Sequence, residues 1–340
     1  SELKTNQIAT NDGNNVAIDN SLNLKSYTTT ARDALTSAAG DMIYNSTTNK
    51  VQVYTGSAWE DLGGIDALQI EYLVIAGGGG GNTNDDTAHG SGGAGGYLCN
   101  VNGENSGGNT SAQPSLFIPK STNLQITVGA GGSSNSAGSK SEFTSIMSVG
   151  GGTPRVGSYN KCGSAGGPNG RTSGGPTAAN TNNIAGQGSA SGQGVSYQGS
   201  GGGGGAGAAG SNGTNNQGGA GGAGLASSIT GSSVTRGGGG GGGGTTGGAG
   251  GSGGGGAGGS GNNASGTSGT ANTGGGGGGS GILTGGTPGS GGSGVVILRW
   301  ATADATIGAT RTGLTDGDVQ TDGSDSYIVF TAGAGTITFT

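Results

Sequence analysis

The stretch EYLVIAGGGGG (71–81), with its counterpart GGSGVVILRW (291–300), decides the fold. Each joins a run of apolar, β-preferring residues to glycine; the first opens a glycine-dominated tract and the second closes it. The chain has 340 residues and 91 glycines, and all but eleven of those glycines lie between Gly77 and Gly294. Average glycine usage is about 7%. Two apolar strands at the mouths of one insertion are expected to pair and form its root.

The tract needs something other than side chains to order it. Only 29% of the chain is hydrophobic, 4% aromatic and 9% charged. Ordering one residue costs about 1–2 kcal/mol of backbone entropy, and glycine loses the most. By composition alone the tract reads as low complexity. Its spacing argues for order instead. Ser91, Ala94 and Tyr97 are separated by Gly-Gly pairs, as are Gln217, Ala220 and Ala223, then Ala249 and Ser252, then Ala257 and Ser260. Three residues per turn is the period of the polyproline-II-type helix, and six prolines are too few for collagen. With Gly-Gly between side chains, backbones can approach closely and donate N–H groups to neighbours on several sides. The expected result is a bundle of antiparallel polyglycine-II helices. Its interruptions become turns and loops, richest at 82–90, 99–114, 155–171 and 196–200. Segments 116–132 and 140–152 carry Phe117, Ile118, Leu124, Ile126, Val128, Phe143, Ile146 and Val149, enough for a small sheet beside the root.

The flanks have ordinary composition. Residues 1–69 read as short strands and turns, with Val16, Ile18, Leu22 and Leu24 as anchors. One short helix is predicted, with Thr30 as N-cap, Asp33 three residues on and Gly40 at its end. A hairpin follows, 41–45 and 50–55 around a turn at 46–49, with Trp59 folded back. Residues 301–340 form a compact β-unit with strands at 327–331 and 336–340. The class is therefore all-β and polyglycine-II with little α-helix, in three parts: an N-terminal β-hairpin module (1–69), a glycine-rich domain (70–300) and a C-terminal β-unit (301–340).

The segment SYTTTARDALTSAAGDMIYNSTTNKVQVYTGSAWEDL (26–62) resembles a module repeated in bacteriophage tail-fibre and related virion proteins, above all in phages of marine bacteria and cyanobacteria. The frame EYLVIAGGGGG … GGSGVVILRW is similar to the glycine-rich domain of such fibres. The resemblance implies a virion protein, assembled in the host cytoplasm and exposed on the particle. It implies a homotrimer, joined to other tail proteins through the N-terminal module. It also implies loops on a rigid platform that bind a host-surface glycan, lipopolysaccharide or outer-membrane protein. The candidate receptor contacts are Tyr97, Tyr159 and Tyr197, since an exposed tyrosine offers large contact area at little entropy cost, together with His89; the plainer reading packs each tyrosine under a turn. A purely structural fibre or capsid-decoration protein is the alternative. An ice-binding protein is more remote, because Asn, Ser and Tyr interrupt the tract irregularly.

Other chemistries find little footing. The net charge is −6 and no basic cluster appears, which argues against nucleic acid. No apolar run reaches 18 residues, so no membrane span is expected, and residues 1–13 lack the pattern of a secretory signal. GxGxxG matches arise by chance at this glycine content, and none of the six lysines follows a glycine as a P-loop requires. His89, the sole histidine, stands near Asp85 and Asp86; a solvated loop is favoured over a metal site. Asp316, Asp318, Asp322 and Asp325 fail the EF-hand spacing and read as a polar loop. Cys99 and Cys162 define no disulfide framework, and whether they bridge is open. No catalytic residue, cofactor or metal is expected.

Overall fold

The computed structural model describes residues 24–62, 67–82, 88–154, 161–170, 177–195, 199–283 and 285–340. The chain divides into two compact units, Ser1–Asp66 and Ala67–Thr340. In the first unit, β1 (Ser26–Tyr27), β2 (Met42–Asn45), β3 (Lys50–Tyr54) and β4 (Trp59–Asp61) form one sheet in that order. β1 runs parallel to β2 and the other pairs are antiparallel. The hairpin is as expected, with Trp59 opposite Tyr54 and their ring centroids 5.4 Å apart. The helix α1 (Thr29–Asp33) starts earlier than predicted. Thr28, not Thr30, is its cap: the Thr28 hydroxyl accepts the Ala31 N–H at 3.2 Å. Three successive threonines offer the same capping oxygen, and only the first lies where the backbone is extended. Nor does Gly40 end this helix. It sits at φ +95° and donates its N–H to the Tyr54 carbonyl, turning the chain into β2. Of the expected anchors, Val16, Ile18 and Leu22 lie outside the described residues.

The second unit begins with β5 (Ala67–Ile75) and β6 (Tyr97–Cys99), then the small ribbon of β7 (Asn105–Ser106) and β8 (Thr110–Ser111). Next come β9 (Leu116–Pro119), β10 (Leu124–Val128), β11 (Ser141–Phe143) and β12 (Ile146–Ser148). A second ribbon, β13 (Leu225–Ser227) and β14 (Val234–Arg236), precedes β15 (Val295–Ala301), β16 (Leu314–Asp316), β17 (Gln320–Asp322) and β18 (Asp325–Ile337). The main sheet runs β12-β11-β10-β18-β15-β5-β6, with β9 on β5 and β16 and β17 on β18. It is nearly closed. The edges meet where Gly96 donates its N–H to the Val149 carbonyl at 2.8 Å and Ser148 Oγ donates to the Gly96 carbonyl at 2.5 Å.

The two root strands pair as expected, antiparallel from Ile75↔Val295 to Glu71↔Arg299. Their apolar runs are continuous because both faces are covered. Tyr72, Val74, Val296, Leu298 and Trp300 enter one core with Ile126, Phe143, Phe330 and Phe339. Leu73, Ile75, Val295 and Ile297 enter a second with Tyr97, Ala206 and Ile229. Residues 301–340 are not a separate unit. β18 lies between β10 and β15 and sends Ile328, Phe330 and Ile337 into the first core. The free edge of β15 required a partner, and the chain's end supplies it.

Beyond the root, backbone meets backbone with a period of three. Gly77 and Gly80 donate to Ser139 and Ser136, Gly78 and Gly81 to Gly292 and Gly289, and Gly79 and Asn82 to Gly93 and Gly90, all at 2.9–3.1 Å. Ser200, Gly203 and Ala206 likewise donate to Gly243, Gly240 and Gly237, while Gly201 and Gly204 donate to Pro168 and Ala165. These neighbours run antiparallel, but others are parallel: Gly218, Gly221 and Gly224 donate in ascending order to Thr246, Ala249 and Ser252. The expected all-antiparallel arrangement is thus corrected to a mixed one. Segment 238–244 runs antiparallel between these two in the chain, Gly239 and Gly242 donating to Gly222 and Gly219, so the next segment returns in the direction of the first. Close approach explains the composition. A methyl group on Gly78 would strike the carbonyls of Gly274 and Gly275, and one on Gly92 the carbonyl of Gly79.

Candidate functional site

The bundle has two ends. At the root, Ala76, Gly96, Gly237 and Gly294 adjoin the strands; six or seven residues away the same segments reach a far end. There the Asn82 N–H donates to the Gly90 carbonyl at 3.1 Å. Isolated bridges join Ala88 to Gly170, Ser91 to Gly167, Thr177 to Gly194, Val195 to Gly199, and Gly199 to Gly244. Others join Gly244 to Ser260 and Asn262 to Ile282, and a methyl on Gly90 would strike Pro154. These described residues mark the far end of the bundle. Around it, Thr214, Asn215, Asn216, Gln217, Asn262 and Asn263 are exposed, as is Leu283. These amides and hydroxyls each offer donors and acceptors without net charge, which suits a polar, uncharged ligand.

Two of the four residues expected at such a surface are elsewhere. Tyr97 is fully buried at the root end, in β6, where its ring packs beside Ala206 and Ile229 and its hydroxyl has no hydrogen-bond partner. Burial pushes its acidity far down, that is, its pKa up. Side chains between glycine pairs point inward where the bundle meets the sheet. His89 does lie at the far end, yet it is 1% exposed rather than in a solvated loop. Its Nδ1 is 2.9 Å from the Gly281 carbonyl and 2.7 Å from Ser280 Oγ. A carbonyl only accepts, so the Gly281 contact places the proton on Nδ1. The His89 carbonyl accepts from Ser200 Oγ and from the Gly243 N–H. His89 is thus a pin through several segments, under the surface instead of on it. Tyr159 and Tyr197 lie outside the described residues.

Three of the four acidic residues between 316 and 325 are engaged. Arg299, at the end of the root pairing away from the bundle, contacts Asp322 and Asp325 at 2.8 Å each and the Ile229 carbonyl at 3.3 Å. Asp316 pairs with Arg311. Among the described residues no group of three or more His, Cys, Asp or Glu could hold a metal ion. Arg299 was missed in the sequence, although a lone cation inside VVILRW signals a buried partner. A cavity of about 220 Å³ beside it is lined by Glu71, Trp300, Asp304 and Asp325. Burial raises the Glu71 pKa and Arg299 opposes it. Cys99 and Cys162 are both free and buried. Burial pushes their thiols up to about 12 and about 11, respectively, so neither is a ready nucleophile.

Fold and site define a mostly β scaffold whose long glycine-rich middle is held largely by backbone hydrogen bonds. A model of the glycine-rich domain family matches residues 47–301, and the chain belongs to that family. No curated protein and no solved structure matches it. No helix among the described residues is long and apolar enough to cross a membrane.

Proposed function

We propose that this protein is a binding scaffold, a homotrimeric tail-fibre or adhesin component of a phage virion. Its glycine-rich body is a rack of polyglycine-II helices, and its far end recognises a host-surface glycan or outer-membrane protein. The observation that carries this reading is the set of exposed, uncharged amides and hydroxyls at the far end of the bundle, Thr214–Gln217 with Asn262 and Asn263. Binding residues concentrate on loops held by a rigid scaffold, and a body bonded in three directions is a rigid one. The helical assignment rests on the three-residue bonding period. It rests also on glycine φ angles that stay out of the left-handed region along 77–81, 92–96, 201–205 and 238–244. The N-terminal unit attaches to neighbouring virion proteins, and three copies multiply weak contacts into avidity.

The test is retention of the full chain on a glycan array and on outer-membrane vesicles from candidate hosts. Replacing Asn215, Asn216 and Asn262 by alanine should abolish retention while leaving the melting temperature unchanged. Undiminished retention would remove the far end from the mechanism. Light scattering should give three times the 31.5 kDa chain mass; a stable monomer would refute the trimer.

A further inference from the structure

Among the described residues four buried side-chain polar atoms have no hydrogen-bond partner: Ser37 Oγ, Tyr97 Oη, Thr177 Oγ1 and Arg236 Nη1. Ser37 belongs to the first unit and Thr177 to the far end of the bundle, but the other two lie together at the root. Arg236 ends β14, and the Tyr97 ring lies 3.6 Å from where a Cβ on the next residue, Gly237, would stand. Burial lowers the Arg236 pKa, and the neighbouring Tyr97 phenol opposes it. Ser227, buried on the paired strand β13, accepts the Ile229 N–H at 3.2 Å. Its Oγ stands close to the Tyr97 hydroxyl without closing a hydrogen bond. The unpaired charge sets this place apart. Arg299 and Arg311 both meet carboxylates, as a desolvated cation requires, whereas the Arg236 side chain has neither an ion pair nor a hydrogen bond among the described residues. Glu104, the carboxylate that bears on Tyr97, is turned instead to the Ser228 N–H at 2.7 Å and the Cys99 thiol at 3.4 Å.

We infer that the gap between Arg236 Nη1, Tyr97 Oη and Ser227 Oγ is a binding site for a small monovalent anion, a halide such as chloride. The guanidinium only donates, and the phenol and the hydroxyl are free to turn their protons inward. An anion accepts from all three and cancels the buried charge. A bridging water would bring two hydrogens of its own to place and would leave the charge uncompensated. Size narrows the class further. The Tyr97 and Arg236 atoms are closed to solvent, and a Cβ on Gly237 would already stand 2.8 Å from Ala206 Cβ. A single-atom ion fits such a gap, and a carboxylate or phosphate does not. The ion ties β6 to the ribbon of β13 and β14 beside the second core, to which Tyr97 and Leu225 contribute. It is thereby part of the folded state, and the inference is independent of the adhesin role.

The experiment compares melting of the full chain in sodium chloride, sodium bromide and sodium gluconate at one fixed ionic strength, which holds general screening constant. A ligand that binds only the folded state raises the melting temperature with its concentration. Replacing gluconate by chloride or bromide should raise it by at least about 2 °C more in the parent than in Arg236→Gln, which shares any general salt effect. An equal response of the two proteins would overturn the site. Tyr97→Phe removes one donor and keeps the ring. It should melt below the parent in chloride and at or above it in gluconate, because a buried hydroxyl without a partner is costly. If it melts above the parent in both salts, the hydroxyl is an orphan beside an empty gap and the inference fails. Should Arg236→Gln not fold, anomalous scattering from crystals grown in bromide decides in its place. A bromide peak within hydrogen-bond reach of Arg236 Nη1 and Tyr97 Oη is expected; a water there, or nothing, would sink the proposal.

Discussion

The root and the bundle both exclude water, by opposite means. At the root, Leu73, Ile75, Val296, Ile297 and Leu298 are fully buried, and each strand hides a different face in each of two cores. Side chains fill space there, and the hydrophobic effect supplies about 25 cal/mol per Å² removed from water. In the bundle, Gly77–Gly81 and Gly238–Gly243 are as buried, yet hide almost no side chain. Each hydrogen bond nets only about 0.5–1.5 kcal/mol, so stability there comes from repetition in three directions. The comparison teaches that burial has two currencies of damage. A core suffers when atoms are removed, and the bundle suffers when atoms are added.

The largest expected effect breaks the bundle. Gly78→Ala adds one methyl against the Gly274 and Gly275 carbonyls, and backbone bonded on several sides cannot step aside. The cost is expected at about 3 kcal/mol or more, the upper end of overpacking, read as a lower denaturant midpoint. Root and bundle should lose amide protection together. Next comes removal at the root: Ile297→Ala should cost about 2–5 kcal/mol, with far-end amides opening less than root amides. If Gly78→Ala proves milder than Gly317→Ala, the packing argument fails, since nothing lies within 4 Å of a Cβ at Gly317. That control should stay within about 0.5 kcal/mol of the parent.

A smaller effect concerns pH. Cys99, Cys162 and Tyr72 are held up to about 12, 11 and 12 by burial, whereas unfolded thiols and phenols titrate near roughly 8.5 and 10. The folded chain therefore binds more protons than the unfolded one above about pH 8.5, and stability falls as pH rises through that window. Denaturant midpoints should be flat below pH 8 and decline above it. Replacing both cysteines by serine should move the onset towards about pH 10, the phenol value. The smallest expected effect lies in the N-terminal unit. Thr28→Ala should cost about 1 kcal/mol in a transition specific to residues 24–62, while Thr30→Ala should cost less.

Much of the root could be read from the sequence, because VVIL and YLVI are apolar without alternation and only a strand covered on both faces wants that. The three-residue period was legible too, through Ser91, Ala94 and Tyr97. The neighbour relations of the bundle were not. A glycine carries no side chain to say which segment it faces, so polarity and order are set by turns such as those at Asn135, Asn263 and Gly274, all with positive φ. The C-terminal strand looked separate because Tyr327–Thr331 and Thr336–Thr340 alternate like any small sheet; that β18 is central depends on an edge left open more than twenty residues upstream. At the candidate site the error had one source. Polar surroundings in the sequence were taken for exposure, whereas Tyr97 is enclosed by the second apolar core and His89 by backbone, which is polar and dry at once.

That dry, polar interior has a consequence for temperature. Unfolding an ordinary domain raises the heat capacity by roughly 12–15 cal/mol/K per residue, because apolar exposure increases it and polar exposure lowers it. Opening the bundle exposes peptide groups and few hydrocarbons, so its share is small and the root supplies most of the increment. Stability should consequently vary only gently between freezing and ambient conditions, with the cold limb of the curve displaced far below 0 °C. Scanning calorimetry should find a heat-capacity step well under that expected for a chain of this length.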